Sequence, residues 1–436
     1  MALSIIIIAL GLFLVSIFLY PAINIKNVQI STFWIPPFAA AVFLISSGNV
    51  PFENIASIFS KNSSISPVKI LILFISMTFL SVVLDELGFF KYLAEVATKR
   101  AGKKQLHLFT AVYFLTAFLT VFTSNDIVIL TFTPFVCFFC KEAEINPVPY
   151  LFGEFAAANT WSMLFLIGNP TNIYISICNE INFITYLKVM AIPAVCAGIL
   201  QFAVLLAVFG KTLKKPMKHN SKNNIALSDK PETFIALTHL LVCTLFLIIS
   251  DFISVEMHLI AAIGAISLVM CLICCDLIKK SSFKTLKHSL KRLPYQMIPF
   301  LLSMFIIVIY LNNSGTTQSI SSVMNRHNVI LTYGISSFLA SNVVNNIPMS
   351  VFFSELPGSL AEYEKFSAVF ATIIGSNIGA FLTPVGALAG IMFSNILKKH
   401  KIKFSAVDFV KYGTIVSLPT LTTSLALLSL TVKFRV

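Results

Sequence analysis

Long apolar runs, broken at a few places by polar residues, set the pattern of this chain of 436 residues. A helix needs about 20 apolar residues to cross a bilayer. Uninterrupted apolar runs predict spanning helices at residues 3–20, 33–48, 68–88, 189–209, 234–250, 258–276, 295–311 and 410–432. The first run lacks a positively charged start and a small-residue cleavage site, so we interpret it as the first span. The pattern predicts an all-α polytopic membrane protein.

Four further apolar stretches carry polar interruptions. Residues 106–140 and 328–357 have asparagine-rich middles and predict helical hairpins that enter the membrane and return on the same side. Residues 150–182 and 366–397 contain Gly, Pro and Asn and predict broken helices. Backbone polar groups in lipid must be satisfied internally, so such breaks persist only where they line a cavity within the protein. We therefore expect the four breaks to meet near the membrane midplane.

The two hairpins are related in sequence. Phe118–Ile127 aligns without a gap with Phe338–Ile347, and Phe, Leu, Asn and Ile coincide. Asn159 and Gly168 have the same spacing as Asn377 and Gly386. We predict a first repeat over residues 1–210, a basic linker over 211–233 and a second repeat over 234–436. Each repeat would contain about five spans and one re-entrant hairpin, so the repeats would be inverted, as in many secondary transporters.

Composition and charge agree with a membrane location. Hydrophobic residues make up 57% of the chain and charged residues 11%, whereas soluble domains carry about 25% charged residues. The net charge of +13 does not indicate nucleic-acid binding, because the basic residues cluster in short segments between apolar runs. Basic segments mark the cytoplasmic side. They lie at residues 91–104, 211–230, 279–292 and 398–403, which places both termini outside a plasma (inner) membrane.

The candidate binding residues are the polar and glycine residues at the four breaks. They are Ser124, Asn125, Asp126, Gly168, Asn169, Thr171, Asn172, Asn342, Asn345, Asn346, Ser376, Asn377, Thr383 and Gly386. Pro170 and Pro384 stop the helix, and the glycines permit a sharp turn. Freed carbonyls and amides suit a hard cation, while half-helix N-termini favour an anion or an electron-rich oxygen. In the alternative interpretation, these asparagines only cap the helix breaks.

Asp126 is the most informative of these residues. A carboxylate inside the membrane is costly unless it is paired, hydrated or protonated, and the matching position in the second half is Asn346. We hypothesise that Asp126 carries the coupled proton or charges a sodium site; the alternative is a carboxylate that caps local backbone amides. Glu154 is a weaker candidate for a proton relay. No arginine lies at either tip, and Arg292 is placed near an interface, which disfavours clamping of a dicarboxylate through guanidinium.

Other chemistries are poorly supported. Cys137-x-x-Cys140 and Cys271-x-x-Cys274-Cys275 lack neighbouring His or carboxylate residues, so we expect no metal and no cofactor. A channel would need a continuous pore, and an enzyme would need a nucleophile with its base or a metal cluster. No Walker-type loop is present, so any ATPase drive would come from a peripheral subunit.

Four stretches resemble the ion-transporter superfamily and, within it, the arsenical pump membrane proteins and related anion permeases. They are Ser124–Asp126, Ile167–Asn172, Val344–Pro348, and Gly375–Gly379 continuing to Leu382–Ala389. The last is most similar to the arsenical pumps. The resemblance implies a scaffold domain, a mobile transport domain with an elevator motion, a homodimer, and export of arsenite or antimonite against protons.

The resemblance leaves the substrate open. In sodium–dicarboxylate relatives both tips read Ser-Asn-Thr, and here Asp126 and Asn346-Ile347 occupy the positions of those threonines and their neighbours. We therefore favour proton-coupled arsenite or antimonite efflux. Sodium- or proton-coupled transport of a dicarboxylate or inorganic anion and sodium/proton antiport remain alternatives. The expected partners are the lipid bilayer, the small solute and a second copy of the chain, with no nucleic acid.

Overall fold

A computed structural model describes residues 2–19, 22–25, 28–51, 53, 66–102, 104–217 and 229–433. The first half contains a two-stranded antiparallel hairpin and nine of the helices considered below. Its elements are α1 Ala2–Leu19, β1 Ala22–Ile25, β2 Val28–Ser31, α2 Ile35–Ser46, α3 Pro67–Glu86, α4 Phe89–Ala101, α5 Gln105–Phe122, α6 Asn125–Glu142, α7 Val148–Trp161, a 3₁₀ turn Leu166–Gly168, α8 Pro170–Cys178 and α9 Phe183–Leu213.

The second half is helical throughout its described residues. Its elements are α10 Lys230–Ile248, α11 Met257–Lys279, α12 Lys284–Lys291, α13 Met297–Asn313, α14 Thr316–Met324, α15 Val329–Val344, α16 Asn346–Phe353, a 3₁₀ turn Leu356–Ser359, α17 Glu362–Gly379, α18 Leu388–Lys399 and α19 Ala406–Lys433. The predicted fold class, an all-α polytopic protein, is confirmed, with the short β1–β2 hairpin as an addition.

The predicted spans coincide with helices, but they differ in length. Six described helices are long and apolar enough to cross a membrane, namely α3, α5, α9, α10, α11 and α19. The pair α13 and α14 passes the same test together, although it bends by 78° between the two helices. In contrast, the predicted span 33–48 forms only the 12-residue α2. At 1.5 Å per residue α2 is about 18 Å long, too short to cross about 30 Å of hydrocarbon alone.

All four predicted interruptions are breaks between helices. The first hairpin turns at Thr123 and Ser124 between α5 and α6, and the second turns at Asn345 between α15 and α16. The stretch 150–182 divides into α7 and α8, and 366–397 divides into α17 and α18. The return of each hairpin to its own side and the inverted relation of the halves stay predictions.

Two basic segments are more ordered than a loop. Residues 91–104 lie mostly within α4, and residues 279–292 include the short helix α12. In α12 Leu286 is buried while the surrounding lysines are exposed, which is the pattern of an amphipathic surface helix. The predicted linker 211–233 is shorter than expected, because α9 continues to Leu213 and α10 begins at Lys230. Its central residues 218–228 lie outside the described residues.

The helices form two groups. The hairpins, broken helices and long helices α9 and α19 pack together, with α5 against α7, α15 against α17, and α9 against α19. A second group contains α1, α2, α3 and α10–α13, and its helix α3 reaches across to α6 and α8. The candidate site lies along this boundary.

Small residues allow the closest of these approaches. On α17 a Cβ atom at Gly375 would collide with the Ser337 hydroxyl and the Gly334 carbonyl of α15. One turn later, a Cβ at Gly379 would collide with the Ser341 hydroxyl. Small residues spaced by four are the usual basis of close helix packing in membranes. The α15–α17 contact therefore fixes the second hairpin against its own broken segment.

Candidate functional site

The first hairpin tip is held by an asparagine pair. Asn125 donates from Nδ2 to Oδ1 of Asn159 on α7 at 3.0 Å, and Asn159 donates to the carbonyl of Phe155 at 2.8 Å. Both side chains are buried. Ser124, which precedes Asn125, has an extended backbone with φ −141° and ψ 144°. It is therefore the N-cap residue of α6 and lies outside the helix itself. The tip therefore rests on α7, and the neighbouring Asp126 in the first turn of α6 is left half-buried.

The first broken segment turns back tightly on itself. A Cβ at Gly168 would overlap the carbonyl oxygen of Ser162, so only glycine fits this approach. Asn169 then caps α8, with Oδ1 accepting from the backbone N–H of Thr171 at 3.1 Å and from the Thr171 hydroxyl at 3.0 Å. Asn172 donates to the Ser162 carbonyl at 2.8 Å. These contacts satisfy the polar groups that the break exposes.

Asn377 of α17 joins the two halves of the chain. Its Oδ1 accepts from the Ser162 hydroxyl at 2.9 Å and from Nδ2 of Asn169 at 2.8 Å. Its Nδ2 donates to Oδ1 of Asn172 at 2.6 Å and to the carbonyl of Ile373 at 2.8 Å. An amide has two donor hydrogens and two acceptor lone pairs, and each position of this fully buried side chain has a contact, although Ser162 shares its single hydrogen with the Asn159 carbonyl. In this conformation Asn377 braces the halves and has no free atom for a ligand.

The second tip closes on its own broken segment. Asn345 adopts φ 74° and ψ 152°, donates to the carbonyl of Val385 at 2.9 Å, and accepts from the backbone of Ile347. The backbone N–H of Asn346 donates to the carbonyl of Gly386 at 3.0 Å. Oδ1 of Asn346 is buried and has no hydrogen-bond partner among the described residues. It is thus an acceptor still available at this tip.

Asn342 ties α15 to both ends of the second break. Its Nδ2 donates to the Gly379 carbonyl at 3.0 Å, and its Oδ1 accepts from the Thr383 hydroxyl at 2.7 Å. Gly386 lies so close that an added Cβ would come within 2.6 Å of the Gly379 carbonyl oxygen. Its lack of a side chain therefore permits this turn.

Hydrogen bonds, together with one step along the backbone from Asn377 to Ser376, link the two tips through the protein interior. From Asn125 the chain of contacts runs to Asn159, whose carbonyl accepts from Ser162 at 2.7 Å, and from Ser162 to Asn377. The adjacent Ser376 lies 3.3 Å from the hydroxyl of Ser350, which donates to the carbonyl of Asn346 at 2.7 Å. The structure thus brings residues from all four breaks into one buried polar network.

A cavity of about 190 Å³ ends at the first tip. Its polar lining comes from Ser124 and Asp126, from Thr78 on α3, and from groups at the rim. The rim groups are Arg292, Gln296 and Asn395. Apolar residues of α3, α6, α13 and α18 complete the wall. Asp126 is therefore the acidic group that a solute entering between the two helix groups would reach.

Arg292 changes the expected electrostatics of this cavity. It was predicted near an interface, away from the tips, and it does lie in the segment between α12 and α13, yet it lines the same cavity as Asp126. Its guanidinium pairs with Asp85 at 2.5 Å and with Glu86 at 2.7 Å. Burial opposes the charged form, but attraction to Asp85 and the hydrogen bonds from both acids outweigh it and raise the pKa of Arg292. Sequence reasoning missed this residue because α12, which positions it, was taken for a loop.

A second cavity of about 400 Å³ reaches the second break from the other side of α18. Thr383, Pro384 and Val385 line it, and it shares Ile391 and Asn395 with the first cavity. Among the described residues, no group of three or more His, Cys, Asp or Glu side chains could hold a metal ion. The chemistry on offer at both breaks is therefore that of amides, hydroxyls, carbonyls and the Asp126 carboxyl.

Comparison with known proteins agrees with this arrangement. The arsenical pump membrane protein of Escherichia coli (strain K12) is 27% identical over 378 residues, covering 83% of this chain and 86% of that protein. Its counterpart in Yersinia enterocolitica is 28% identical over 381 residues, covering 82% and 85%. A putative arsenical pump membrane protein of Bacillus subtilis (strain 168) is 23% identical over 415 residues, covering 88% and 91%. The resemblance seen in the sequence motifs is confirmed.

A solved structure shares the fold. The crystal structure of the Alcanivorax borkumensis YdaH transporter, which has an unusual topology, matches with a TM-score of 0.56 at 12% identity and covers 99% of this chain and 98% of that one. In addition, a family model described as citrate transporter matches residues 2–365. Since that match extends over most of the chain, this protein belongs to the citrate transporter family of membrane transporters.

Proposed function

We propose that this protein exports arsenite or antimonite across the plasma (inner) membrane in exchange for protons. Two observations support the proposal. Several relatives that match over four-fifths of the chain are named arsenical pump membrane proteins. In addition, the polar part of the cavity lining at the first tip consists of hydroxyl and amide groups, the Asp126 carboxyl group and the ion-paired Arg292. A neutral hydroxylated solute can exchange hydrogen bonds with such groups without needing a charged clamp.

The charge balance of the cavity carries the choice of substrate. Arg292 is the cationic residue of its lining, and Asp85 and Glu86 already neutralise it. When Asp126 is ionised, it makes the region net acidic. A dicarboxylate would have to enter against this field and compete with two carboxylates for one guanidinium. A neutral solute with three hydroxyl groups meets no such electrostatic repulsion.

Asp126 is our candidate for the coupling residue. It lies in the first turn of α6, where the helix dipole favours a negative charge, and it faces the cavity, whose guanidinium, Arg292, pairs with Asp85 and Glu86. Protonation from the outside and release to the inside, alternating with solute binding in the opposite sense, would couple export to proton entry. Ser124 and the asparagines at both tips would bind the solute.

The two helix groups suggest how the site moves. The hairpin group, α5–α9 with α15–α19, would be the mobile transport domain, and the group around α3 and α10–α13 the scaffold. An elevator motion would carry the tips past α3, which contacts both α6 and α8. This proposal includes the two inverted repeats, cytoplasmic basic segments, external termini and a homodimer. A peripheral ATPase subunit remains an additional partner to test.

The experiment uses everted membrane vesicles from cells without an arsenite exporter of their own. We expect respiration-driven arsenite accumulation that a protonophore abolishes and that does not depend on sodium. Asp126→Asn should abolish accumulation. Asp408→Asn is the matched control, because Asp408 also lies in the first turn of a helix but is exposed. Accumulation that survives Asp126→Asn with unchanged pH dependence would remove this residue from coupling.

A second candidate function is proton- or sodium-coupled transport of a carboxylate or inorganic anion. It is favoured by the family description as citrate transporter and by the presence of Arg292 in the cavity lining. The same vesicles decide between the two. Uptake of labelled citrate without arsenite accumulation would establish this alternative, provided that Arg292→Gln abolishes the citrate uptake. Sodium/proton exchange in the absence of any solute would instead indicate an antiporter.

A further inference from the structure

Glu154 is a completely buried carboxyl group that the first tip does not use. It lies in the middle of α7 with no exposed surface. Its Oε1 accepts one hydrogen bond, at 2.9 Å, from the hydroxyl of Thr133 on α6. Its Oε2 is also buried and has no partner among the described residues. One oxygen of a buried acid is therefore left without any hydrogen-bond donor.

The surroundings of Glu154 contain no compensating charge among the described residues. The titratable groups facing it are the thiols of Cys137 and Cys140 on α6, with Tyr150 one turn earlier on α7 beside Cys140. From the other helices packed against α7, namely α5, α9 and α17, no charged side chain of the described part acts on it. An ionised carboxylate in such a place would be strongly disfavoured. Such surroundings favour a neutral carboxyl group, which can carry its proton on the oxygen that lacks a donor.

One face of α6 extends from the cavity to the neighbourhood of this acid. Positions 126, 130, 133 and 137 recur at helical spacing and lie along one face of α6. Asp126 and Leu130 line the cavity, while Thr133 contacts Glu154. Pro134 lies inside the helix and has no N–H to donate to the carbonyl of Leu130. That carbonyl is an acceptor between the cavity and Thr133.

We propose that Glu154 is a second proton-binding site of the transporter, behind Asp126. The inference rests on the proposed function, since it adds a proton site to the same cycle. In the conformation described, the site is occupied and sealed between α6 and α7. When these helices separate during transport, the O–H bond at Oε2 breaks and cavity water takes the proton. Thr133 then donates to the carboxylate that remains, and the site is refilled from the other side.

The first test separates proton drive from solute binding. Glu154→Gln keeps the shape and the neutral charge but cannot release a proton. In everted vesicles we expect it to retain arsenite exchange between equal concentrations and to lose proton-driven accumulation to the level of vesicles without the protein. Glu142→Gln, at the exposed end of α6, is the control and should retain both. Proton-driven accumulation at the native rate and pH profile in Glu154→Gln would overturn the proposal.

The second test does not depend on activity. Infrared spectroscopy of the purified protein should show the carbonyl stretch of a protonated carboxyl at neutral pH, reduced in Glu154→Gln but not in Glu142→Gln. An unchanged band would refute the assignment. Should Glu154→Gln fail to insert, Thr133→Val serves instead. It removes the donor to the ionised form, so the native band should change in frequency and the alkaline limb of the transport profile should move to higher pH.

The two proposals fail in different ways. If Asp126→Asn abolishes accumulation and Glu154→Gln does not, the function stands and the second proton site is wrong. If the native protein moves no arsenite, the proposed function is wrong and the infrared band alone decides whether Glu154 holds a proton.

Discussion

Removing the Asn377 side chain should weaken the contact between the two halves. Asn377→Ala leaves two buried atoms without a hydrogen-bond partner, Nδ2 of Asn169 and Oδ1 of Asn172, because Asn377 is the partner of each in the described structure. Ser162 keeps its bond to the Asn159 carbonyl. The loss is therefore counted over two orphaned groups.

The magnitude follows from what a buried orphan costs. Each unsatisfied buried group costs about 1–3 kcal/mol, which gives about 2–6 kcal/mol for the pair. Hydrogen bonds within membrane proteins are weaker on average, about 0.6 kcal/mol and at most about 1.7, since the unfolded chain in the membrane also finds partners. Because both orphans lie in a site without exposure, we expect a destabilisation of about 2 kcal/mol or more.

Thiol labelling measures this loss directly. The buried cysteines Cys137, Cys140, Cys178 and Cys243 react with a fluorogenic maleimide only when the protein opens, so labelling along a denaturant titration gives the free energy of unfolding. The control is Asn49→Ala, since Asn49 is exposed and should cost no more than about 0.5 kcal/mol.

A double-mutant cycle tests the cause rather than the size. Asn169→Ala and Asn377→Ala remove opposite sides of one contact, so their effects should overlap by about 0.6–1.7 kcal/mol. Strict additivity, or an Asn377→Ala protein as stable as Asn49→Ala, would refute the view that this asparagine holds the halves together.

Two further predictions concern the break and the surface. Gly168→Ala should prevent folding of the first break and abolish transport, because its Cβ would overlap the Ser162 carbonyl. The control Gly210→Ala has open space in α9 and should stabilise the protein by about 0.5–1 kcal/mol. Expression level and thermal melting distinguish the two variants. Partial burial alone would raise the pKa of Asp229, but hydrogen bonds from Lys279 and the Glu232 backbone outweigh it and lower the pKa. Its contribution is therefore present above the unfolded-state pKa of about 3.9 and lost as the pH falls through the lower folded-state value. Asp229→Ala should lower the free energy of unfolding by about 0.5–2 kcal/mol at neutral pH through loss of the α10 cap, and Asp229→Asn should lower it less. The difference in unfolding free energy between wild type and Asp229→Ala should become smaller in acid. A difference that grows in acid would contradict this assignment.

The positions of the breaks could be predicted because they depend on local chemistry. Pro170 removes a backbone N–H donor, Gly168 permits a turn, and asparagine side chains cap the helix that follows. Each break can therefore be predicted from a short stretch of sequence. The same local signals predict the breaks within 106–140 and 328–357, and each stretch does form two helices joined by a turn, whereas their re-entrant path stays a prediction.

Contacts between distant segments could not be predicted in this way. Nothing in the sequence around Asn377 indicates that its side-chain oxygen, Oδ1, accepts hydrogen bonds from Ser162 and Asn169 of the other half. The position of Arg292 depends on α12, whose helical form is stabilised by packing on α3 rather than by a strong local signal. Tertiary packing decides such short amphipathic segments.

The two halves use the same asparagine in different ways, and this difference decides what holds each tip. Asn159 and Asn377 each donate to the carbonyl four residues earlier at 2.8 Å, so the local structure follows the sequence repeat. The side-chain oxygen of Asn159 accepts from its own tip, at Asn125, whereas that of Asn377 accepts from the opposite half. The second tip, lacking that partner, is held by backbone carbonyls of its own break, which accept from the Asn345 side chain and from the Asn346 backbone N–H. Both halves therefore keep the local contact of the repeat, while one of the two asparagines serves as the brace between the halves.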